Sequence, residues 1–191
     1  MDPVKNIPFA FPLPEGYDPD KTYPVVLRPG DGTLGGDGCV YWRGNFLETD
    51  WIRIENMAFS RSDRVKATRV LLHHLISRFK VEGNRFHMVG FSANSAGAFQ
   101  VVLALPELFQ HVTVIPRYPR TEDDMMLKRL KGIWVQFIVG AADTGWLTRS
   151  RAYHKSLTDM GVDTKLDVVK GGPVLKDLFG APFMSKLGWG R

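Results

Sequence analysis

The sequence predicts an α/β fold: a mostly parallel sheet of about six strands with helices on both faces. Three observations predict it. Apolar, β-branched runs recur along the chain, and segments with helical spacing separate them. Several runs are apolar on successive residues, the mark of strands covered on both faces. Alternation of strand and helix at these lengths demands right-handed crossovers, and therefore a parallel sheet. The chain has 191 residues, enough for one domain and scarcely two. A single domain over residues 1–191 is expected, standing alone or cut from a longer protein.

Each element has its own reason. The runs are Tyr23 to Leu27, Trp51 to Glu55, Arg85 to Gly90, Val112 to Pro116, Ile133 to Gly140 and Thr164 to Val169. Any leading antiparallel strand must come from residues 1–22. Ser62 or Asp63 caps a first helix whose Leu71, Leu72, Leu75, Ile76 and Phe79 fall on one stripe, and Gly83 ends it. A second helix runs from Ala93 to Leu105 and stops at Pro106. Met126, Leu127 and Leu130 suggest a shorter one before the fifth run. A third long helix, Leu147 to Met160, buries Tyr153 and Leu157 and ends at Gly161.

Composition closes several function classes. Hydrophobic residues make up 44% and charged residues 24%, which excludes a disordered chain. The one cysteine, Cys39, rules out an internal disulfide framework and a cysteine-based zinc cluster. No apolar run approaches the ~20 residues needed to cross a bilayer. Met1-Asp2-Pro3-Val4-Lys5 lacks the basic start and apolar core of a secretory signal, so a cytoplasmic location is expected. The net charge is +5, but the basic residues are scattered. The densest stretch, Lys128-Arg129-Leu130-Lys131, reads as a solvated helix face, and no nucleic-acid partner is expected. Gly30-Asp31-Gly32-Thr33-Leu34-Gly35 fits the dinucleotide fingerprint, which needs a helix to open there. Gly36-Asp37-Gly38-Cys39-Val40-Tyr41 follows without a helical stripe, so no nucleotide cofactor and no metal are expected.

In parallel sheets, chemistry collects at the C-terminal ends of the strands. After the third run comes Gly90-Phe91-Ser92-Ala93-Asn94-Ser95-Ala96-Gly97-Ala98. A serine among small residues between a buried strand and a helix is the setting of a nucleophile elbow. The turn must be sharp, so that the hydroxyl projects above the sheet. The flanking residues must be small, because strand and helix nearly touch. The helix N-terminus must aim its free amides at the reacting centre. Gly90, Ala93 and Ala96-Gly97-Ala98 meet the size demand, while Asn94 stands where the usual pattern has glycine. After the fifth run comes Gly140-Ala141-Ala142-Asp143-Thr144. Taken singly, such a serine is most often a helix N-cap and such an aspartate a turn residue.

Together, and in this order, these segments resemble the α/β-hydrolase family, in its small esterase and polyester-depolymerase-like branch. Leu13-Pro14-Glu15-Gly16-Tyr17-Asp18 and Lys21-Thr22-Tyr23-Pro24-Val25-Val26-Leu27 are similar to that branch's lead-in to its third strand. Ala104-Leu105-Pro106-Glu107-Leu108-Phe109 is similar to the close of its elbow helix, and Gly171-Gly172 to the approach to its histidine loop. The resemblance spans most of residues 11–175. It implies Ser92 as nucleophile, Asp143 as the acid that orients the base, and the amides of Ala93 and Asp31 as the oxyanion hole. Trp146, close behind the acid loop, is a candidate wall of an acyl pocket. No lid insertion is visible, which suits short acyl esters or polymer ends.

The sequence departs from the family at the base. Pro173 stands where the histidine belongs, and a proline ring cannot take the serine proton. His154 and His111 are the substitutes to weigh. His87 reads as a hydrogen-bonded core residue, and His73 and His74 as solvated. Ser95 is a second candidate nucleophile. Two functions follow. One is a serine carboxylic-ester hydrolase impaired by the missing histidine. The other is a catalytically silent hydrolase fold that binds a ligand or partner.

Overall fold

Seven strands pair into one sheet in the computed structural model, which describes residues 9–10, 13–29, 50–56, 62–116 and 123–172. In chain order they are β1 (Phe9–Ala10), β2 (Val25–Pro29), β3 (Ile52–Asn56), β4 (Phe86–Phe91), β5 (Phe109–Ile115), β6 (Trp134–Gly140) and β7 (Thr164–Val169). Across the sheet the order is β1-β3-β2-β4-β5-β6-β7. Only β1 runs antiparallel, against β3; every other neighbouring pair is parallel. All six apolar runs are strands, and the leading antiparallel strand is Phe9–Ala10.

The helices are α1 (Arg64–Arg78), α2 (Asn94–Ala104), α3 (Asp124–Leu127) and α4 (Thr144–Asp159). The stripe on α1 buries Leu71, Leu72 and Leu75 as its spacing requires. It stops well before Gly83. The Lys80 carbonyl accepts from the Tyr23 amide at 2.9 Å, and the Glu82 amide donates to the Tyr23 carbonyl at 3.0 Å. These bonds to the lead-in of β2 draw the chain out of the helix at Phe79. Gly83 serves instead in a 3-10 turn over Glu82–Asn84, at φ +59°. On α4 the shift is at the other end: it begins at Thr144, so Asp143 occupies its N-cap position.

The connections from β3 through to β7 all step the same way across the sheet. Right-handed crossovers therefore lay α1 to α4 on one face. Side-chain contacts agree. Arg64 donates to Gln100 Oε1 at 3.2 Å across α1 and α2, and Arg129, just past α3, reaches the Ala104 carbonyl of α2 at 3.5 Å. Any helix on the second face belongs to residues outside the described ones. Under the helices, Leu27, Ile54, Met88, Val114 and Phe137 alternate along their strands and pack on Leu72, Phe99 and Val102. The opposite face of the same strands buries Arg28, His87, Thr113 and Gln136. Most of its polar groups are paired: Thr113 Oγ1 donates to Gln136 Oε1 at 3.0 Å, Gln136 Nε2 donates on to Asp167, and Arg28 Nη2 lies 3.8 Å from Glu55 Oε1, while Arg28 Nε has no partner among the described residues.

Candidate active site

After β2 the chain builds β3 on one side and then returns past β2 to build β4 on the other. The strand order reverses between β2 and β4. Outside the carboxyl ends of such a pair lies the crevice where ligands bind in open parallel sheets. Ser92 is the residue that follows β4. Its φ is +47°, in the left-handed region that a residue with a Cβ enters only under constraint. Its amide donates to the Ile115 carbonyl at 2.7 Å, and its carbonyl accepts from Ser95 at 3.1 Å to start α2. Strand pairing holds the chain on one side and the helix takes it on the other, so the bend falls on Ser92. The side chain is exposed.

Small residues make the bend possible. A Cβ on Gly90 would lie 2.6 Å from Ser95 Cα and 2.9 Å from Ala98 Cβ, so α2 sits directly on the β4 backbone. Ser95 is thereby fully buried against Gly90, and its hydroxyl is closed to any substrate. The structure does not support it as an alternative nucleophile. Ala93 takes the N-cap position of the 11-residue α2 and is exposed. Among the described residues no hydrogen bond claims its amide, which leaves that donor facing the crest. Asp31, the expected second oxyanion donor, lies outside the described residues.

Asp143 comes from the end of β6. Its amide donates to the Gly140 carbonyl at 3.0 Å, and its carbonyl accepts from Leu147 at 2.9 Å as α4 begins. Among the described residues its buried Oδ2 has no hydrogen-bond partner. The loop after β7 is fastened to the acid loop. Ala141 donates to Val169 at 2.8 Å, and Ala142 donates to Gly171 at 2.9 Å. A Cβ on Gly140 would meet the Gly172 carbonyl oxygen at 2.4 Å. The histidine loop of the resemblance is thus in contact with the acid loop up to Gly172, and Pro173 lies outside the described residues.

Strands β4 and β6 flank β5, so Ser92 and Asp143 follow strands on either side of it, and the two strands lie two spacings or about 10 Å apart. In a serine triad a single imidazole bridges such a pair. None of the chain's five histidines is there. His87 and His111 sit paired at the opposite end of β4 and β5, where the strands begin. Five residues of strand separate His87 from Ser92, roughly 16 Å. His154 lies ten residues into α4, about 15 Å from the acid loop, with its ring on Thr164 Oγ1 at 3.3 Å. Thr164 opens β7, again at the far end. The structure therefore removes both His111 and His154 as substitute bases. His73 and His74 are exposed on α1, and His87 is buried in a hydrogen bond to His111, as their spacing suggested.

His111 is tuned for the neutral form. Burial, helped by the nearby Arg85 guanidinium and opposed by Glu82, lowers its pKa to about 4. Its Nδ1 lies 2.6 Å from that of His87. The two rings, tilted by 53° to each other, lie in a tier that Trp51 and Trp134 complete edge-on, at centroid separations of 4.7 and 5.4 Å.

Trp146 stands in the first turn of α4, half-buried beside the acid loop. A groove of about 300 Å³ opens elsewhere, beside the elbow, between Arg64, Ala93, Ala96, Gly97, Gln100 and Met126. Trp146 does not line it. The signal for this groove was the run of small or polar residues at 93, 96, 97 and 100, one face of α2. Among the described residues, no group of three or more His, Cys, Asp or Glu side chains is placed to hold a metal. No described helix is long and apolar enough to cross a membrane.

Solved structures show the same architecture. A thermostable esterase matches with a TM-score of 0.66 and 21% identity, over 96% of this chain and 53% of its own. The CE1 ferulic acid esterase AmCE1/Fae1A of Anaeromyces mucronatus matches with a TM-score of 0.64 and 15% identity, over 88% of this chain and 79% of its own. Thermogutta terrifontis esterase 2, solved phosphorylated by paraoxon, matches with a TM-score of 0.63 and 10% identity, over 95% and 85%. The chain spans about half the length of the first of these. No protein-family model and no curated protein matches the sequence. The fold is that of the α/β hydrolases.

Proposed function

We propose that the chain is a serine carboxylic-ester hydrolase working with an incomplete proton relay. The observation that carries this reading is the left-handed backbone of Ser92 at the strand-order reversal. Nothing in the packing of an ordinary N-cap asks for that strain, whereas a nucleophile on a sharp strand-to-helix turn requires it. Ser92 Oγ attacks the ester carbonyl. The Ala93 amide, at the positive end of α2, takes one hydrogen bond from the developing oxyanion, and Asp31 supplies the second amide. Asp143 holds and supports the base. Esterases among the similar structures favour carboxylic esters as the substrate class, and the lack of a lid insertion in the sequence suits short acyl groups. In this reading Trp146, in the first turn of α4, would border the acyl group from the acid-loop side. The reading keeps residues 1–191 as one domain, in the cytoplasm, with no nucleic-acid partner.

Removing the histidine from a serine triad costs on the order of a million-fold in turnover, and oxyanion hole plus binding keep roughly a thousand-fold over water. Pro173 therefore makes hydrolysis slow rather than nil. The same residue favours a second reading, a silent hydrolase fold that binds a ligand or partner. Turnover of p-nitrophenyl acetate separates the two. The hydrolase reading expects slow, measurable turnover that disappears in Ser92→Ala and weakens in Asp143→Asn. Equal rates in the parent and Ser92→Ala at every pH would leave the binder.

A further inference from the structure

We infer that the outer surface of the helix layer, α1 to α4, docks on a membrane surface of anionic phospholipid. The inference stands apart from the hydrolase reading, since it needs neither Ser92 nor Asp143. Charge carries it first. The basic residues are scattered along the sequence, and the fold gathers them. Helix α1 bears Arg64, Lys66, Arg69 and Arg78 and no acidic residue. Lys128, Arg129 and Lys131 follow α3, and α4 adds Arg149, Arg151 and Lys155. Against these ten stand four carboxylates in the layer, Glu107, Asp123, Asp124 and Asp159, so the layer carries +6. The remaining described residues hold seven basic side chains and ten acidic ones, a net of −3. Opposite signs on two parts of one domain turn the helix layer towards an anionic surface.

Pairing inside the layer cancels little of this charge. Arg69 pairs with Glu107 at 3.3 Å and Lys155 with Asp159 at 2.6 Å, all four exposed. Among the described residues no carboxylate pairs with Lys66, Arg78, Lys128, Lys131 or Arg151, and each of these is exposed. On α1, Lys66, Val70 and His73 share the side opposite Leu71, Leu72 and Leu75, so they face away from the sheet. On α4, Thr148, Ala152 and Lys155 do the same opposite Ser150 and Leu157.

Apolar exposure decides among the anionic partners. Among the described residues three large apolar side chains are exposed, and two belong to this layer: Val70 at 43% and Met125 at 81%. A bilayer interface takes basic residues at its headgroups and apolar ones just beneath them. Single-stranded nucleic acid takes the charge but also asks for aromatic platforms under its bases, and no Phe, Tyr or Trp of α1 to α4 is among the exposed residues. An acidic peptide would fill one groove, such as that between Arg64 and Met126, and leave Arg151 and Lys155 on α4 out of reach. From α1 to α4 is three helix spacings, about 24–30 Å. A lipid surface reaches all of it.

The test is co-sedimentation of the full chain with vesicles of equal parts phosphatidylglycerol and phosphatidylcholine. Binding should be at least about 10-fold tighter than to pure phosphatidylcholine, and should weaken as added salt shortens the Debye length below about 8 Å. Each basic residue near such a surface is worth about 5-fold in partitioning, so Lys66→Glu combined with Arg151→Glu should weaken binding by about 25-fold or more. Both side chains are exposed, so the fold is kept. Lys165→Glu combined with Lys170→Glu makes the same change in net charge off the layer, and should weaken binding by less than about 3-fold. Met125→Ser should weaken it by about 3-fold without any change in charge.

Equal binding to pure phosphatidylcholine overturns the inference, as does no binding to the anionic vesicles at low salt. Equal losses in the two charge-reversed pairs overturn it too, because net charge alone then accounts for the binding. Duplex DNA that strips the protein from the vesicles at equal phosphate concentration assigns the surface to a nucleic acid and overturns the membrane.

Discussion

The two ends of the sheet keep the serine and the histidines of the chain's described core apart. The C-terminal end carries a strained, exposed serine, a helix N-terminus and a carboxylate whose buried oxygen has no partner among the described residues. The N-terminal end carries His87, His111 and His154, the first two locked between tryptophans. Strand direction decides which residues become chemistry. Helix termini and crossover loops converge at the carboxyl ends, so a serine there meets free amides. The amino ends offer neither, so imidazoles there become packing and hydrogen-bonding groups. A residue type is informative only once its end of the strand is known.

The largest expected effect moves an imidazole from one end to the other. Pro173→His should raise p-nitrophenyl acetate turnover by about 100-fold or more, the usual worth of a positioned general base. An unchanged rate means that the loop after Gly172 does not bring residue 173 to Asp143. Next in size is the seat of the elbow. Gly90→Ala forces its new methyl into Ser95 and Ala98, and should cost about 2–3 kcal/mol in urea denaturation. A neutral outcome would show that α2 does not rest on β4 as described.

At the other end, the lowered pKa of His111 sets a pH dependence. The unfolded chain takes this proton near pH 6.5 and the folded chain only near 4. In between, the unfolded state binds more protons, so stability falls as pH drops through that window and levels off below it. The fall should be on the order of 1–2 kcal/mol after discounting for partial exposure, and His111→Gln should flatten it. A slope retained in that variant assigns the pH dependence to other groups. Smaller again is the strain at the crest. Ser92→Gly should be more stable than Ser92→Ala by about 1 kcal/mol, since only glycine relaxes at φ +47°. Equal stabilities would mean that the bend stores nothing. His154→Gln should change stability by no more than ~0.5 kcal/mol and leave turnover where it was.

Much of this was legible in the sequence. Successive apolar residues in Ile133 to Gly140 and neighbouring runs gave the buried parallel strands, and glycine and alanine around Ser92 gave the elbow. Helix ends are less legible, because their causes are tertiary. Nothing near Phe79 announces that Lys80 and Glu82 will pair with Tyr23. The histidines show the limit most clearly. His111 and His154 were reasonable substitutes as sequence positions, and only strand register and helix length place both at the wrong end. Ser95 and Ser92 differ by three residues and look alike in the sequence, yet one turn of helix buries the first and leaves the second exposed.

The most direct test of the crest is covalent. The protein is treated with a fluorophosphonate, digested, and the modified residue is identified by mass spectrometry. The account predicts one adduct, on Ser92, absent in Ser92→Ala and still formed in His111→Gln and His154→Gln. An adduct on another residue, or none after prolonged exposure, would contradict it.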